Sequence, residues 1–361
     1  VEKLMQLAEL AAGVGVERFV LDDGWFAGRR SDKSSLGDWW VSPEVYPNGL
    51  APLISHVQKL GMDFGIWVEP EMISEDSELF RMHPDWALVS PDYEPVRSRN
   101  QLVLNLAHTP AYEYVFSKLD ELFSENEIAF VKWDMNRPHV QSTLQSGAAG
   151  THEQTLAVYK LIDQLRAKHQ HIEIESCSSG GGRIDHEILR RTDRVWTSDC
   201  IDPYRRQKIQ RGASMLIPNE VMGAHIGAEK AHTTSRVHSL EFRIISAVFG
   251  HLGLELDLTL CSQDELRLIK QAVDWHKKFR GLLHSGDVVR FDCESESQIS
   301  HGVYSQDRNE ALVSLVQLTE TKQGEDSQFL RLPGLDSDRR YRVAAFDSKL
   351  ATTHAVGEYT G

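Results

Sequence analysis

The segment Val131–Arg137, "VKWDMNR", ends a run in which apolar and polar residues alternate. Alternation with a period of two is typical of a β-strand, and residues two apart on a strand share one face. The pattern therefore predicts a strand that carries Lys132 and Asp134 on the same face near its C-terminal end. An ammonium group and a carboxylate brought together at a strand end indicate a functional site.

Similar strand-like runs lie on both sides of this segment, and most are followed by a turn and a helical stretch. The runs are ERFVLDD (17–23), MDFGIWVEPEM (62–72), NQLVLNLAH (100–108), IAFVKWD (128–134), HIEIESC (171–177), RVWTSDC (194–200) and EVMGAHIG (220–227). Strands that alternate with helices predict an α/β fold with a parallel sheet. Seven strands, after an initial helix that has no strand before it, predict a (β/α)8 TIM barrel truncated before its second strand. A doubly wound open sheet is the alternative, although no GxGxxG motif follows a strand.

From about Gly286 the pattern changes to short alternating runs separated by polar turns. These runs are GDVVRFDCE (286–294), HGVYSQD (301–307), NEALVSLVQL (309–318), QFLRL (328–332) and RRYRVAAFD (339–347). They predict a small antiparallel β domain. We therefore expect a barrel over residues 1–285 and an antiparallel β domain over residues 286–361, truncated at its end.

The composition excludes several classes of partner. The 361 residues are 41% hydrophobic and 25% charged, with a net charge of −14 and no Lys/Arg-rich tract, which argues against a nucleic-acid partner. No apolar run approaches the roughly 20 residues that span a bilayer, so no membrane association is expected. The four cysteines are scattered without a CxxC pair: Cys177, Cys200, Cys261 and Cys293. This distribution favours a reducing compartment such as the cytoplasm and no structural zinc site.

Polar side chains follow several of the predicted strands. They are Asp22 and Asp23, Trp67 with Glu69, Lys132 with Asp134, Cys177, and Asp199 with Asp202. In a (β/α)8 barrel the C-terminal ends of the strands meet at one face, which carries the catalytic groups. Two carboxylates on separate strand ends, Asp134 and Asp199, are what glycoside cleavage requires, because one attacks or stabilises the anomeric carbon and the other protonates the departing oxygen.

Some of these residues have a second interpretation. Glu69 and Glu71 are either an acid/base pair or carboxylates that hold loops by hydrogen bonds. Trp67 is either a core residue or a platform on which a sugar ring stacks.

Three other features are also ambiguous. Cys177 is a candidate thiol nucleophile, although no Cys–His–Asn pattern supports it. Gly180–Gly182 either cradles a phosphate or allows a close backbone approach. His225 and His232 are too far apart for an HExxH-like zinc site, and we expect no metal and no cofactor.

Six segments, occurring in one order, closely resemble glycoside hydrolase family 36, the bacterial α-galactosidases. They are FVLDDGWF (19–26), YPNGL (46–50), DFGIWVEPEMIS (63–74), VKWDMNR (131–137), ESCSSGGGRID (175–185), and WTSDCID (196–202) with RQKIQRG (206–212). The resemblance covers about Val1–Asp257. It implies an N-terminal β-sandwich, a (β/α)8 barrel and a C-terminal antiparallel β domain, of which this chain would lack the sandwich and the first barrel strand.

The resemblance also implies roles for individual residues. Asp134 would be the nucleophile and Asp199 the acid/base, while Lys132 would help to keep Asp134 ionised. The positions that would bind galactose are Asp22, Asp23, Trp67, Arg99, Lys132, Asn136, Cys177 and Gly180. Many relatives carry SDNTD where Cys200 and Ile201 stand here between Asp199 and Asp202, which affects the expected preference for the aglycone.

The function implied is retaining hydrolysis of terminal α-linked galactose from galactosides such as melibiose and raffinose. The family resemblance further implies a homo-oligomer, a tetramer. Alternatives are an α-N-acetylgalactosaminidase, an α-galactosyl transferase, or a catalytically inactive galactoside-binding fragment.

Overall fold

The structure, a computed structural model, describes residues 1–144, 146–291, 297–319, 332–346 and 352–361, with side chains in the last range from 357 on. Two compact units are present, Val1–Trp196 and Thr197–Gly361. The helices are α1 (Glu2–Gly13), α2 (Ala51–Lys59), α3 (Glu78–Met82), α4 (Thr109–Glu125), α5 (Thr151–Lys168), α6 (His186–Leu189), α7 (Pro203–Ala213), α8 (Leu240–Ala247) and α9 (Gln263–Ser285). The strands are β1 (Arg18–Leu21), β2 (Asp63–Val68), β3 (Met72–Ile73), β4 (Leu102–Val103), β5 (Phe130–Trp133), β6 (Glu173–Ser176), β7 (Arg194–Trp196), β8 (Met222–Gly227), β9 (His251–Glu255), β10 (Asp287–Phe291), β11 (Gln298–Tyr304), β12 (Ala311–Gln317), β13 (Arg340–Phe346) and β14 (Thr352–Thr360).

The first unit is built on parallel strands in the order β1-β2-β5-β6-β7. β2 is buried at five of its six positions, as expected for a parallel strand covered on both faces. Amphipathic helices provide the cover: α4, for example, buries Val115, Leu119 and Leu122 along one stripe. The predicted βα alternation is therefore present in this unit.

The second unit contains the parallel pair β8-β9 and two antiparallel sheets, β10-β11-β12 and β13-β14. Its longest helix, α9, begins with a capping box in which Ser262 and Glu265 satisfy each other's backbone amides. The predicted run QFLRL lies outside the described residues except for Leu332, and Cys293 lies outside them as well. The domain division after residue 285 remains a prediction.

Seven parallel strands were predicted within residues 1–227, where the described residues form six, so one member of the predicted set was wrong. In the run NQLVLNLAH only β4 forms, and it pairs antiparallel with β3. The backbone of this run is bound elsewhere, because Leu104 N donates to Glu71 O at 2.9 Å and the Gln154 amide bonds Leu104 O and Leu106 N at 2.9 and 2.8 Å. The seventh parallel strand is β9.

Seven parallel strands alternating with helices, followed by small antiparallel sheets, confirm the predicted fold class. This is a (β/α)8 barrel without its first strand, with an antiparallel β region after it. No helix among the described residues is long and apolar enough to cross a membrane.

Candidate active site

Three neighbouring strands of the first unit align polar and aromatic side chains at one level. The register pairs Trp67 of β2 with Lys132 of β5, and Lys132 with Glu175 of β6. Residues aligned across a parallel sheet point to the same face, and so do residues two further along each strand. The next level on this face therefore consists of Glu69, Asp134 and Cys177, at the C-terminal ends of the strands.

The Asp134 carboxylate is held in one orientation by three neutral donors. Its Oδ2 accepts from Trp67 Nε1 at 3.1 Å and from Asn136 Nδ2 at 2.6 Å, and its Oδ1 accepts from Met135 N at 2.8 Å. Its own backbone amide extends the sheet by donating to Val68 O at 2.8 Å. The side chain is 6% exposed. A carboxylate fixed in this way is suited to attack a carbon atom at a defined position.

Glu69 lies beside Asp134 and is 1% exposed. Its Oε1 accepts from the Asn136 backbone amide at 2.6 Å. Burial, and then the negative charge of Asp134, raise the pKa of Glu69 to about 8. Glu69 is therefore mainly protonated at neutral pH, and two buried negative charges side by side are avoided.

Lys132 makes its ion pair with Asp22, whereas the sequence placed it as a partner of Asp134. Lys132 Nζ donates to Asp22 Oδ2 at 2.8 Å. Burial is the largest single effect and lowers the pKa of Lys132, but the charge and hydrogen bond of Asp22, together with other acidic groups that include Glu175, outweigh burial and raise the pKa. The ammonium group therefore stays charged at the site.

Asp23 has a different partner, the buried Arg29. Arg29 Nε donates to Oδ1 of Asp23 at 3.0 Å, and a terminal guanidinium nitrogen donates to Oδ2 at 2.8 Å. This bidentate pair fixes the Asp23 carboxylate next to Asp22.

Trp67 belongs to an aromatic cluster and is 3% exposed. Its ring stacks on Phe26 with centroids 6.3 Å apart and planes at 10°, and Trp39 lies at the same centroid distance. Of its two interpretations, the packing fits a core residue, and the indole N–H adds a direct hydrogen bond to Asp134.

Cys177 is buried next to Asp134. Burial, and then the charge of Asp134, raise the pKa of this thiol well above its usual range. A thiol that stays protonated is a poor nucleophile, so the alternative of Cys177 catalysis loses its chemical basis.

The turn after Cys177 contains Ser179 and Gly180, both with positive φ, at 47° and 82°. Ser178 N donates to Gly180 O at 2.7 Å, which closes the turn. Ser179 Oγ donates to Asn136 Oδ1 at 3.3 Å. The glycine turn thus contacts the same asparagine that holds Asp134.

Glu71 has a structural role in this arrangement and is 1% exposed. It accepts from Trp133 Nε1 at 2.9 Å and from both terminal nitrogens of Arg183 at 2.8 and 3.0 Å. A carboxylate bound to a guanidinium and an indole in the interior holds neighbouring segments together. The interpretation of Glu69 and Glu71 as an acid/base pair is therefore not supported by these contacts.

Arg99 is exposed at the tip of a short hairpin between Ser98 and Gln101. Arg99 and Asn100 have φ of 52° and 58°, the left-handed conformation of a tight two-residue turn. The positive charge of Arg99 is close enough to lower the pKa of Glu69, against the larger effects that raise it.

Arg137 is a site-supporting residue that the sequence argument missed. It is 4% exposed, and it donates to Val96 O at 2.8 Å and to Gln101 O at 2.7 Å. These bonds join the Arg99 hairpin to the segment that carries Asp134. The only signal in the sequence was its place at the end of VKWDMNR.

In the second unit, Asp199 lies in the loop after β7 and is partly exposed. Asp202, three residues later, is fully buried and caps α7 by accepting from Tyr204 N at 2.9 Å. It also accepts from Thr234 Oγ1 at 2.8 Å and from Arg236 at 2.7 Å. Burial raises the pKa of Asp202, but these hydrogen bonds and the nearby His238 together outweigh burial and lower the pKa. Asp202 is thus a structural anion.

The two histidines considered for a metal do not form a site together. His225 Nδ1 lies 3.0 Å from Glu255 Oε2. In the described ranges of the chain there is no group of three or more His, Cys, Asp or Glu side chains that could hold a metal ion. The expectation of no metal and no cofactor remains a prediction.

These features define a class: a (β/α)8-barrel protein with carboxylates, a lysine and a tryptophan at the C-terminal ends of its strands, where barrel enzymes carry their active sites. A family model named Melibiase matches residues 1–286, and the model of the glycosyl hydrolase family 36 C-terminal domain matches residues 298–361. The chain belongs to the melibiase family of glycoside hydrolase family 36, which confirms the resemblance seen in the motifs.

Individual relatives agree with this assignment. An alpha-galactosidase of Escherichia coli is 48% identical over 347 residues, which cover 95% of this chain and 48% of that protein. The alpha-galactosidase AgaA of Geobacillus stearothermophilus is 40% identical over 349 residues, 95% of this chain and 48% of the relative. A crystal structure of AgaA matches with a TM-score of 0.92 at 38% identity, covering 100% of this chain and 49% of that one. The chain spans about half the length of the curated relatives it matches.

Proposed function

We propose that the protein containing these residues is a retaining α-galactosidase, with Asp134 as the nucleophile and Asp199 as the acid/base. The observation that carries the proposal is the Asp134 carboxylate, buried at a strand end and oriented by Trp67, Asn136 and a backbone amide. Retaining hydrolysis needs a carboxylate that attacks the anomeric carbon directly.

The choice of Asp199 over Asp202 as the acid/base has structural support. An acid/base must exchange a proton during each cycle. The pKa of Asp202 is lowered by its hydrogen bonds with Thr234 and Arg236, which oppose protonation, and its carboxylate caps α7. Asp199 lies three residues before Asp202, at the end of the motif WTSD.

Galactose binding is proposed for Asp22, Asp23, Lys132, Asn136, Arg99, Trp67, Cys177 and Gly180. The ion pair of Lys132 with Asp22 presents a charged donor next to a charged acceptor, an arrangement suited to neighbouring sugar hydroxyls. A site that hydrogen-bonds particular hydroxyls rejects a sugar in which one of them points elsewhere, because its buried polar groups are then left unpaired.

Substrates with terminal α-linked galactose, such as melibiose and raffinose, are the proposed class. Variants of AgaA have been solved in complex with raffinose and with stachyose. We also propose a cytoplasmic location, which the free Cys177, Cys200 and Cys261 support, and a homo-oligomer, testable by light scattering.

The test is covalent trapping. The protein is assayed with p-nitrophenyl α-galactoside and the matching N-acetylgalactosaminide, then inactivated with a fluorinated galactoside and digested for peptide mapping. We expect galactoside turnover and label on Asp134. Label on Asp199, Asp202 or Glu69 would overturn the assignment. Preference for the galactosaminide would indicate the other specificity, and binding without turnover would indicate a binding module.

A further inference from the structure

Arg206, in the second turn of α7, binds the short segment that carries Asp199. Its Nε donates to Cys200 O at 2.8 Å, and its two terminal nitrogens donate to Thr197 Oγ1 at 2.8 Å and Ser198 O at 2.5 Å. The side chain is 3% exposed. One guanidinium therefore contacts the residues on both sides of Asp199.

The geometry of a guanidinium makes these contacts restrictive. Its donors lie in one plane at fixed angles, so three acceptors that bind it together cannot move independently of one another. The main chain of Arg206 is fixed as well, because Arg206 N donates to Asp202 O at 2.9 Å and the Asp202 side chain caps the same helix. The rigid helix α7 thus determines the path of the backbone through Asp199.

We infer that Arg206 is a positioning residue that sets the orientation of the Asp199 carboxyl group for proton transfer. The inference rests on the proposed function of Asp199 as the acid/base. In the first step Asp134 forms a bond to the anomeric carbon while the bond from that carbon to the glycosidic oxygen breaks, and the Asp199 proton moves to that oxygen. In the second step Asp199 takes a proton from the attacking water.

Proton transfer depends on the position of the donor more strongly than sugar binding does. The need for proton transfer also depends on the leaving group. A departing sugar or alkoxide must be protonated, whereas dinitrophenolate leaves as a stable anion. A displaced Asp199 therefore has a specific kinetic signature. A general loss of structure would slow all substrates to a similar extent.

The experiment compares Arg206→Lys with Arg205→Lys, the exposed neighbour on the same helix. We expect Arg206→Lys to lower kcat/KM about 10- to 100-fold for melibiose but less than about threefold for 2,4-dinitrophenyl α-galactoside, because a lysine cannot reproduce the planar set of donors. Arg205→Lys should match the parent on both substrates. An equal loss on both substrates, or none, would overturn the inference.

Thr197→Val provides an independent variant if Arg206→Lys folds poorly. It removes one acceptor of the guanidinium with little change in volume, so we expect the same selective loss on melibiose, about threefold to tenfold. Asp199→Ala separates this inference from the proposed function. If Asp199→Ala shows no dependence on the leaving group, the acid/base assignment fails; if it does and the other two variants do not, only the role of Arg206 fails.

Discussion

The two segments that carry the proposed catalytic aspartates are fixed by different means. Asp134 extends a parallel sheet, and its carboxylate is bound directly by Trp67, Asn136 and a backbone amide. The Asp199 segment is a loop whose main-chain carbonyls are bound by Arg206. A nucleophile performs one attack along one line, so a fully held carboxylate suits it. An acid/base must present its carboxyl group at a defined position in both of its protonation states, and a fixed backbone contributes to that position.

The largest expected effect is that of Asp134→Ala, which removes the attacking group itself. Turnover should fall by at least about 10⁴-fold on every substrate, because no covalent intermediate can form. Azide, small enough for the space left, should restore part of the activity and give a β-galactosyl product, identifiable by NMR. An α-galactosyl azide would place the nucleophile elsewhere.

Asp199→Ala should have a smaller and selective effect. We expect a loss of about 10²- to 10⁴-fold on melibiose and a much smaller loss on 2,4-dinitrophenyl α-galactoside, since only the former needs a proton donor in the first step. With the activated substrate the glycosyl-enzyme should accumulate, visible as a burst of dinitrophenolate in stopped flow. Parallel losses on both substrates would remove the distinction between the two segments.

Trp67→Phe tests whether direct hydrogen bonds matter at the Asp134 segment. The change keeps an aromatic ring in the cluster and deletes the donor 3.1 Å from Asp134 Oδ2. We expect kcat to fall about 10-fold, because the carboxylate loses one of its orienting contacts. Trp86→Phe, another buried tryptophan of the first unit, is the control and should keep the parent kcat. Equal behaviour of the two variants would mean that the contact contributes nothing.

The smallest expected effect on activity is that of Glu69→Gln. This substitution should instead change how the free energy of unfolding depends on pH. The pKa of Glu69 rises from 4.5 to about 8 on folding, so the folded protein binds the extra proton between these values. The parent should therefore lose stability as pH increases from about 4.5 to 8, by at most about 1.4 kcal/mol per pH unit. Glu69→Gln should lack this dependence. The urea midpoint of the variant minus that of the parent should therefore increase from pH 5 to pH 8. Glu127→Gln, at an exposed position, should follow the parent.

The fold class could be predicted because six of the seven parallel strands are apolar runs that end on polar residues. β9 was missed because it is only partly buried and carries His251 and Glu255. The run NQLVLNLAH was assigned as a strand because it is as rich in apolar residues as a strand of the sheet, and its leucines are indeed buried. The hydrophobic pattern indicates which residues are buried, but it does not indicate which backbone groups pair.

In the candidate site, too, some features could be predicted from the sequence and others could not. The residues at the strand ends were found because position along a strand fixes the face on which a side chain lies. The supporting contacts were not found, because Arg137 and Arg206 bind backbone carbonyls that have no signature in the sequence. The partner of Lys132 was also missed, since Asp22 is 110 positions away in the chain.

The protonated state of Glu69 links catalysis to the solvent. On the proposed mechanism, Asp134 becomes a neutral ester in the covalent intermediate, and the repulsion that contributes to the raised pKa of Glu69 disappears. The intermediate then holds the Glu69 proton less tightly than the free protein does, and around pH 7 to 8 some of that proton is released as the ester forms. Each turnover would therefore include a transient exchange of protons with the buffer, separate from the proton that Asp199 transfers.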